Sequence, residues 1–153
     1  MKMNKFFQMA YITRDFEKAM ATFKEHHGVD DFIVLSIDPE VQTSWGNGQL
    51  YANVALGWVD NLQIELIEPK GGLDNLYTEG LPDGDVPHFH HVCMRVPDWD
   101  AFKAEAEREG WPIVCEGGVP GVNFAYVDAR DKVGHYLEYM WMNDEMWAAT
   151  GGK

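Results

Sequence analysis

Four apolar runs of this chain are each interrupted by one polar side chain able to hold a cation: Gln8 in FFQMAYI, Glu65 in LQIELI, His91 in HVCM and Glu138 in YLEYM. Burying a carboxylate without compensation is expensive, and burying two that face one another is more so. Neither glutamate run contains a Lys or Arg to neutralise it. A divalent cation would do so: two carboxylates balance its charge, and an imidazole and an amide oxygen complete the protein's share of the coordination sphere. Taken singly, each of these residues reads as an ordinary hydrogen-bonded polar group on a strand. The case for a shared site rests on how the four are related.

They are related by an internal repeat. QMAYITRDFEKAMATFKEHHGV, from residue 8, aligns with HVCMRVPDWDAFKAEAEREGWPI, from residue 91, placing Gln8 on His91, Asp15 on Asp98 and Phe16 on Trp99 at a constant offset of 83. Each copy opens with an apolar strand, followed by an aspartate suited to cap a helix and an acid, Glu17 or Asp100, in its first turn. Phe16, Ala19, Met20 and Phe23 recur at helical spacing before Gly28, as do Trp99, Phe102 and Ala106 before Gly110. Three strand-like runs follow each helix: DFIVLSI, LYANVALGWV and LQIELIE, then PIVCEGG, NFAYVDA and HYLEYMWM. The last runs also match, placing Glu65 on Glu138 at a shorter offset of 73, so the second half has tighter loops.

This pattern predicts an α+β fold: two βαβββ modules in tandem that form a cupped, mixed eight-stranded sheet with the helices on the outside. The expected organisation is a single domain over residues 1–153, with a first module at 5–68, a Gly-, Pro- and Asp-rich linker at 69–87, a second module at 88–142 and a tail at 143–153. Strand side chains alternate faces, so pseudo-twofold symmetry sends Gln8, Glu65, His91 and Glu138 into one concave space. By the same alternation His90 should face away from His91, and Glu68 should lie opposite Glu65 in solvent. His88 is expected in an exposed turn and His135 at the rim. Cys93 shares the face of His91 but reads as packing. The tail either covers the cup or a neighbouring subunit, or frays.

Bulk properties narrow the partners. A hydrophobic fraction of 46% and a charged fraction of 24% are ordinary for a globular chain of 153 residues. A net charge of −13 with no basic cluster argues against nucleic acid and anionic membranes. No apolar run is long enough to span a bilayer, and MKMNKFFQMA lacks the apolar core of a signal peptide, which points to the cytoplasm. Cys93 and Cys115 are accordingly expected to be reduced, buried thiols.

The paired openings QMAYITRD and HVCMRVPD, with the repeated βαβββ unit from Phe6 to Trp141, resemble the vicinal-oxygen-chelate superfamily of glyoxalases, bleomycin resistance proteins and dioxygenases. That resemblance implies a divalent metal held by Gln8, Glu65, His91 and Glu138, a ligand set like that of glyoxalase I. The runs ANVALGWVDNLQIELIEP and HFHHVCMRV look more like methylmalonyl-CoA epimerase, although there the counterpart of Gln8 is usually His and that of Glu65 usually Gln. The implied activity is a metal-dependent lyase or isomerase that moves a proton next to a carbonyl of a small-molecule substrate, with Glu138 or Glu65 as base. Homodimers are the habit of the superfamily. The alternatives are an extradiol dioxygenase and a non-catalytic small-molecule binding protein of the same fold. Ni, Co, Zn, Mn, Mg and Fe all suit these donors.

Overall fold

The computed structural model describes residues 5–153. The first half runs β1 (Phe6–Ile12), α1 (Phe16–His27), β2 (Ile33–Ile37), β3 (Glu40–Thr43), β4 (Gly46–Val59) and β5 (Leu62–Gly72). A short helix, α2 (Asn75–Thr78), leads to β6 (His88–Arg95), α3 (Trp99–Glu109), β7 (Ile113–Val119) and β8 (Val122–Asp128). The chain ends with α4 (Arg130–Val133), β9 (Tyr136–Met142) and α5 (Asp144–Ala149). Among the described residues, no helix is long and apolar enough to cross a membrane.

All strands belong to one mixed sheet of order β2-β4-β3-β7-β8-β9-β6-β1-β5, and β4 also pairs with β5, so the sheet curls back on itself. Its centre has the symmetry of the repeat. β1 and β6 run antiparallel side by side, and each is flanked by the last strand of its own half in parallel, β5 beside β1 and β9 beside β6.

The described residues form nine strands where eight were expected. The additional one is β3, which continues the line of β2 along β4: Ile33–Ile37 faces residues 56 to 52, and Glu40–Thr43 faces 49 to 46. Pro39 lies in the gap. It has no amide hydrogen to give to a ladder, so the run is interrupted there. Beyond the break β3 turns its other edge to β7 and joins the two halves a second time.

The long helices lie on the convex side, as the apolar stripes require. Phe16, Ala19 and Phe23 of α1 pack with Ile64 and Leu66, and Phe102 of α3 packs with Val92, Met94 and Leu137. The caps read from sequence are formed: Asp15 accepts from the Lys18 amide at 3.0 Å, and Asp98 from the Ala101 amide at 2.9 Å. Gly28 and Gly110 close the helices at φ of 73° and 67°, where a Cβ would be strained. Replacing Asp98 with Ala should lower the unfolding free energy by about 1 kcal/mol, read as a shift of the urea midpoint at unchanged slope.

Candidate metal centre

Two neighbouring rows of side chains across the sheet build the site. In the first, Ala10 on β1 lies between Glu65 on β5 and His91 on β6, and His91 in turn faces Tyr136 on β9. In the second, Gln8 lies between Gln63 and Cys93, followed by Glu138 and then Tyr126. Small residues, Ala10 and Cys93, stand beside the long ones. They leave the room into which the glutamates and the imidazole converge.

The convergence is close. Ligand atoms of Glu65, His91 and Glu138 all lie within 4.8 Å of one another. His91 Nε2 stands 2.7 Å from Glu138 Oε2 and 3.5 Å from Glu65 Oε1. Gln8 and Glu138 are each 2% exposed and His91 is fully buried. Among the described residues, four buried side-chain polar atoms lack a hydrogen-bond partner: Gln8 Oε1, His91 Nε2, Glu138 Oε2 and Trp45 Nε1. Three of the four belong to the residues picked from the repeat. His91 Nε2 and Glu138 Oε2 thus meet only one another at 2.7 Å, and these are atoms that a cation would satisfy. Three hard oxygens and one imidazole nitrogen fit a divalent ion.

The electrostatics record the same strain. Burial raises Glu65, and the charge of Glu138 adds to that against the pull of His91. Burial alone would depress His91, but the carboxylates of Glu138 and Glu65 overcome it and hold the imidazole up to about 9. Cys93 is raised well above the usual thiol range by burial and by the two glutamates, so in the metal-free protein it stays a protonated neighbour. Burial, followed by Glu138, likewise keeps Tyr126 a phenol, and its hydroxyl lies 2.8 Å from that of Tyr77.

Other expectations are corrected. His90 does not turn away from His91. A bulge between Ala10 and Tyr11 passes over it, with Ala10 opposite His91 and Tyr11 opposite Phe89, so both histidines are buried. Its ring packs on Tyr77, Tyr126 and Tyr136 with centroids 5.2, 6.3 and 4.9 Å away, its Nδ1 is 2.8 Å from His91 Nδ1, and its Nε2 is 2.9 Å from the Leu76 carbonyl. Burial, then the charge of His91, lowers it to about 3. Glu68 is not a solvent residue: it accepts from the Phe16 amide and from Asn53 and pairs with Lys70. His88 is exposed, and half-buried His135 donates to the Tyr136 carbonyl and packs on Phe89. Both cysteines are free and buried.

Two segments outside the repeat close over this interior. Leu76 and Tyr77 of α2 are buried in the cluster that holds Ala10, Ile12, Tyr126 and Tyr136. From the tail, Trp147 meets Phe7 and Trp58 at centroid distances of 5.0 and 5.9 Å, and the Thr150 carbonyl accepts from Trp58 Nε1 at 2.7 Å. The linker and the tail carry no periodicity, which is why sequence reading gave Leu76, Tyr77 and Thr150 no role. Gln63 could have been found, since it lies two residues before Glu65 and so shares its face.

The chain belongs to the glyoxalase/bleomycin resistance protein/dioxygenase superfamily, whose family model matches residues 7–126. Among solved structures it is similar to methylmalonyl-CoA epimerase in complex with methylmalonyl-CoA and ammonium, at a TM-score of 0.67 and 16% identity, covering 94% of this chain and 97% of that one. It is also similar to methylmalonyl-CoA epimerase from Mycobacterium tuberculosis, at a TM-score of 0.63 and 17% identity, covering 97% and 96%. A Streptomyces coelicolor methylmalonyl-CoA epimerase variant in complex with 2-nitronate-propionyl-CoA gives a TM-score of 0.65 at 15% identity, covering 94% and 97%. These neighbours are enzymes that share the fold. No curated protein matches the chain by sequence.

The raised imidazole gives a pH test. In the metal-free protein folded His91 keeps its proton up to about 9, whereas the unfolded chain gives it up near 6.5. The stability due to that proton is complete below about 6.5 and is lost as pH rises through about 9. Denaturant midpoints in the presence of a chelator should fall across that window. With saturating divalent metal the ion replaces the proton, and the fall should vanish.

Proposed function

We propose that the chain is a divalent-metal-dependent enzyme that moves a proton at a carbon next to a carbonyl, as an isomerase of the epimerase type or, by the same chemistry, a lyase of the glyoxalase type. The observation that carries this reading is the meeting of two carboxylates and an imidazole, their ligand atoms within 4.8 Å, in a barrel interior that offers no Lys or Arg from either glutamate run. Gln8, Glu65, His91 and Glu138 would hold the ion. A cation held there supplies Lewis-acid stabilisation of the negative charge that develops on a carbonyl oxygen when the neighbouring carbon loses its proton.

The protein's own groups do the rest. The Glu65 side chain keeps 12% of its surface exposed and that of Glu138 only 3%, so Glu65 is the carboxylate that a substrate can reach. It also stands further from His91, at 3.5 Å against 2.7 Å. Burial raises its affinity for a proton, which suits a base. Glu65 takes the proton from the carbon and holds it. Inversion then requires a proton delivered to the opposite face, from a donor other than the sealed Glu138. A lyase or isomerase of the glyoxalase type needs only the one carboxylate. The ligands named for the epimerase neighbours support 2-methyl acyl thioesters as the first substrates to try. A net charge of −13 attracts no anion, so uncharged α-hydroxy ketones and hemithioacetals stand beside them.

A ring-cleaving dioxygenase would need a second imidazole on the metal. Both ring nitrogens of His90 are occupied, by His91 and by the Leu76 carbonyl, and the donor atoms that meet at the site are those of Glu65, His91 and Glu138, without His135. A plain binding module leaves the convergent acids unexplained.

Incubating the metal-loaded protein with this panel in deuterated water should wash deuterium into one carbon of one substrate class, followed by NMR. Glu65→Gln should lower that rate 10²–10⁴-fold while the protein still takes up metal. Absence of exchange in every class would sink the reading, and a Glu138→Gln loss with Glu65→Gln intact would move the role of base to Glu138.

A further inference from the structure

The two ligand candidates that open the repeated strands, Gln8 and His91, share a difficulty. Each can present the wrong atom. An amide can turn its NH₂ toward a cation instead of its oxygen, and an imidazole can carry its proton on the nitrogen that should bind. Each is held by one polar neighbour, and each neighbour ends on a backbone carbonyl of a segment outside the repeat.

Gln8 Nε2 donates to Gln63 Oε1 at 2.7 Å, and Gln63 Nε2 donates to the Thr150 carbonyl at 3.3 Å. A carbonyl can only accept, so Thr150 fixes which end of the Gln63 amide faces Gln8. Gln8 must then give its NH₂ to Gln63, and its oxygen is left free, buried and unpartnered. The second relay has the same logic. The Leu76 carbonyl only accepts, so the His90 nitrogen 2.9 Å away, Nε2, carries a hydrogen. The two Nδ1 atoms are 2.8 Å apart, which has room for one proton between them. With His90 protonated at Nε2, its Nδ1 is the acceptor and His91 Nδ1 the donor. That leaves the lone pair of His91 on Nε2, the atom facing Glu65 and Glu138.

We propose that His90 and Gln63 are positioning residues that select the metal-binding atoms of His91 and Gln8, each relay being anchored on a carbonyl of the linker or of the tail. This rests on the metal reading above. It also accounts for the bulge that keeps His90 inside the barrel, and for a pair of buried glutamines in adjacent strands. Relays of this kind are typically worth 10- to 100-fold in metal affinity.

The test compares two substitutions at His90. His90→Leu fills the aromatic nest but cannot accept from His91 or donate to Leu76, and should bind Co(II) 10- to 100-fold more weakly than wild type in competition with a chromophoric chelator. Gln can do both jobs, so His90→Gln should recover most of the loss. A packing role for His90 predicts the opposite order, with Leu tolerated and Gln harmful, and that order would overturn the inference. Gln63→Leu should weaken binding in the same direction, and unchanged affinity would remove Gln63 from it. Should the variants fail to fold, long-range ¹H–¹⁵N spectra of zinc-loaded wild type still decide: the expected protons are on His91 Nδ1 and His90 Nε2, and a proton on His91 Nε2 or His90 Nδ1 rejects the relay. Wild-type protein that takes up no divalent metal would sink the metal reading itself. Wild-type binding with an unaffected His90→Leu sinks the relay alone.

Discussion

Charge balance in a closed space is the constraint around which this barrel is organised. Two carboxylates share the interior with a single imidazole that can carry one positive charge, so a protonated His91 leaves the trio one negative charge in excess. In the metal-free protein the remedy is protons, and the upward shifts of both His91 and Glu65 are that remedy at work. A divalent ion with neutral His91 would bring the sum to zero and satisfy three of the four unpartnered buried atoms, Gln8 Oε1, His91 Nε2 and Glu138 Oε2. The two remedies compete for the same lone pairs, which ties metal affinity to pH.

Symmetry explains how such an arrangement can be held. β1 and β6 meet antiparallel at the centre, so residues at equivalent places in the two halves come to opposite sides of one point. Long acids on the flanking strands β5 and β9 then reach inward over small neighbours. Ala10 stands between Glu65 and His91, and Cys93 between Gln8 and Glu138. A large side chain at either place would fill the volume in which the ligands meet. Smallness there is as much a part of the site as the carboxylates are.

Much of this could be read from the chain, for a definite reason. Strand alternation has a period of two, and the repeat fixes which residues are equivalent, so Gln8, Glu65, His91 and Glu138 could be assigned to one face before any coordinates. The helix caps at Asp15 and Asp98 followed from local chemistry alone. The failures occur where periodicity breaks. The bulge at His90 adds a residue without changing the hydrophobic pattern, so alternation placed that ring on the wrong face. Pro39 splits one extended run into β2 and β3, which hid a ninth strand. Leu76, Tyr77 and Thr150 lie in aperiodic segments, and only tertiary contact shows that they reach the interior.

Those aperiodic segments also break the symmetry. Here α2 seats Leu76 and Tyr77 against His90, while the tail sets Trp147 and Thr150 beside Phe7, Trp58 and Gln63. The Glu138 side chain ends up sealed, 3% exposed, while that of Glu65 keeps 12% of its surface open. The duplicated strands thus supply equivalent donors in the two halves, and the unduplicated segments packed against them differ. Two chemically identical carboxylates therefore differ in access to solvent through burial.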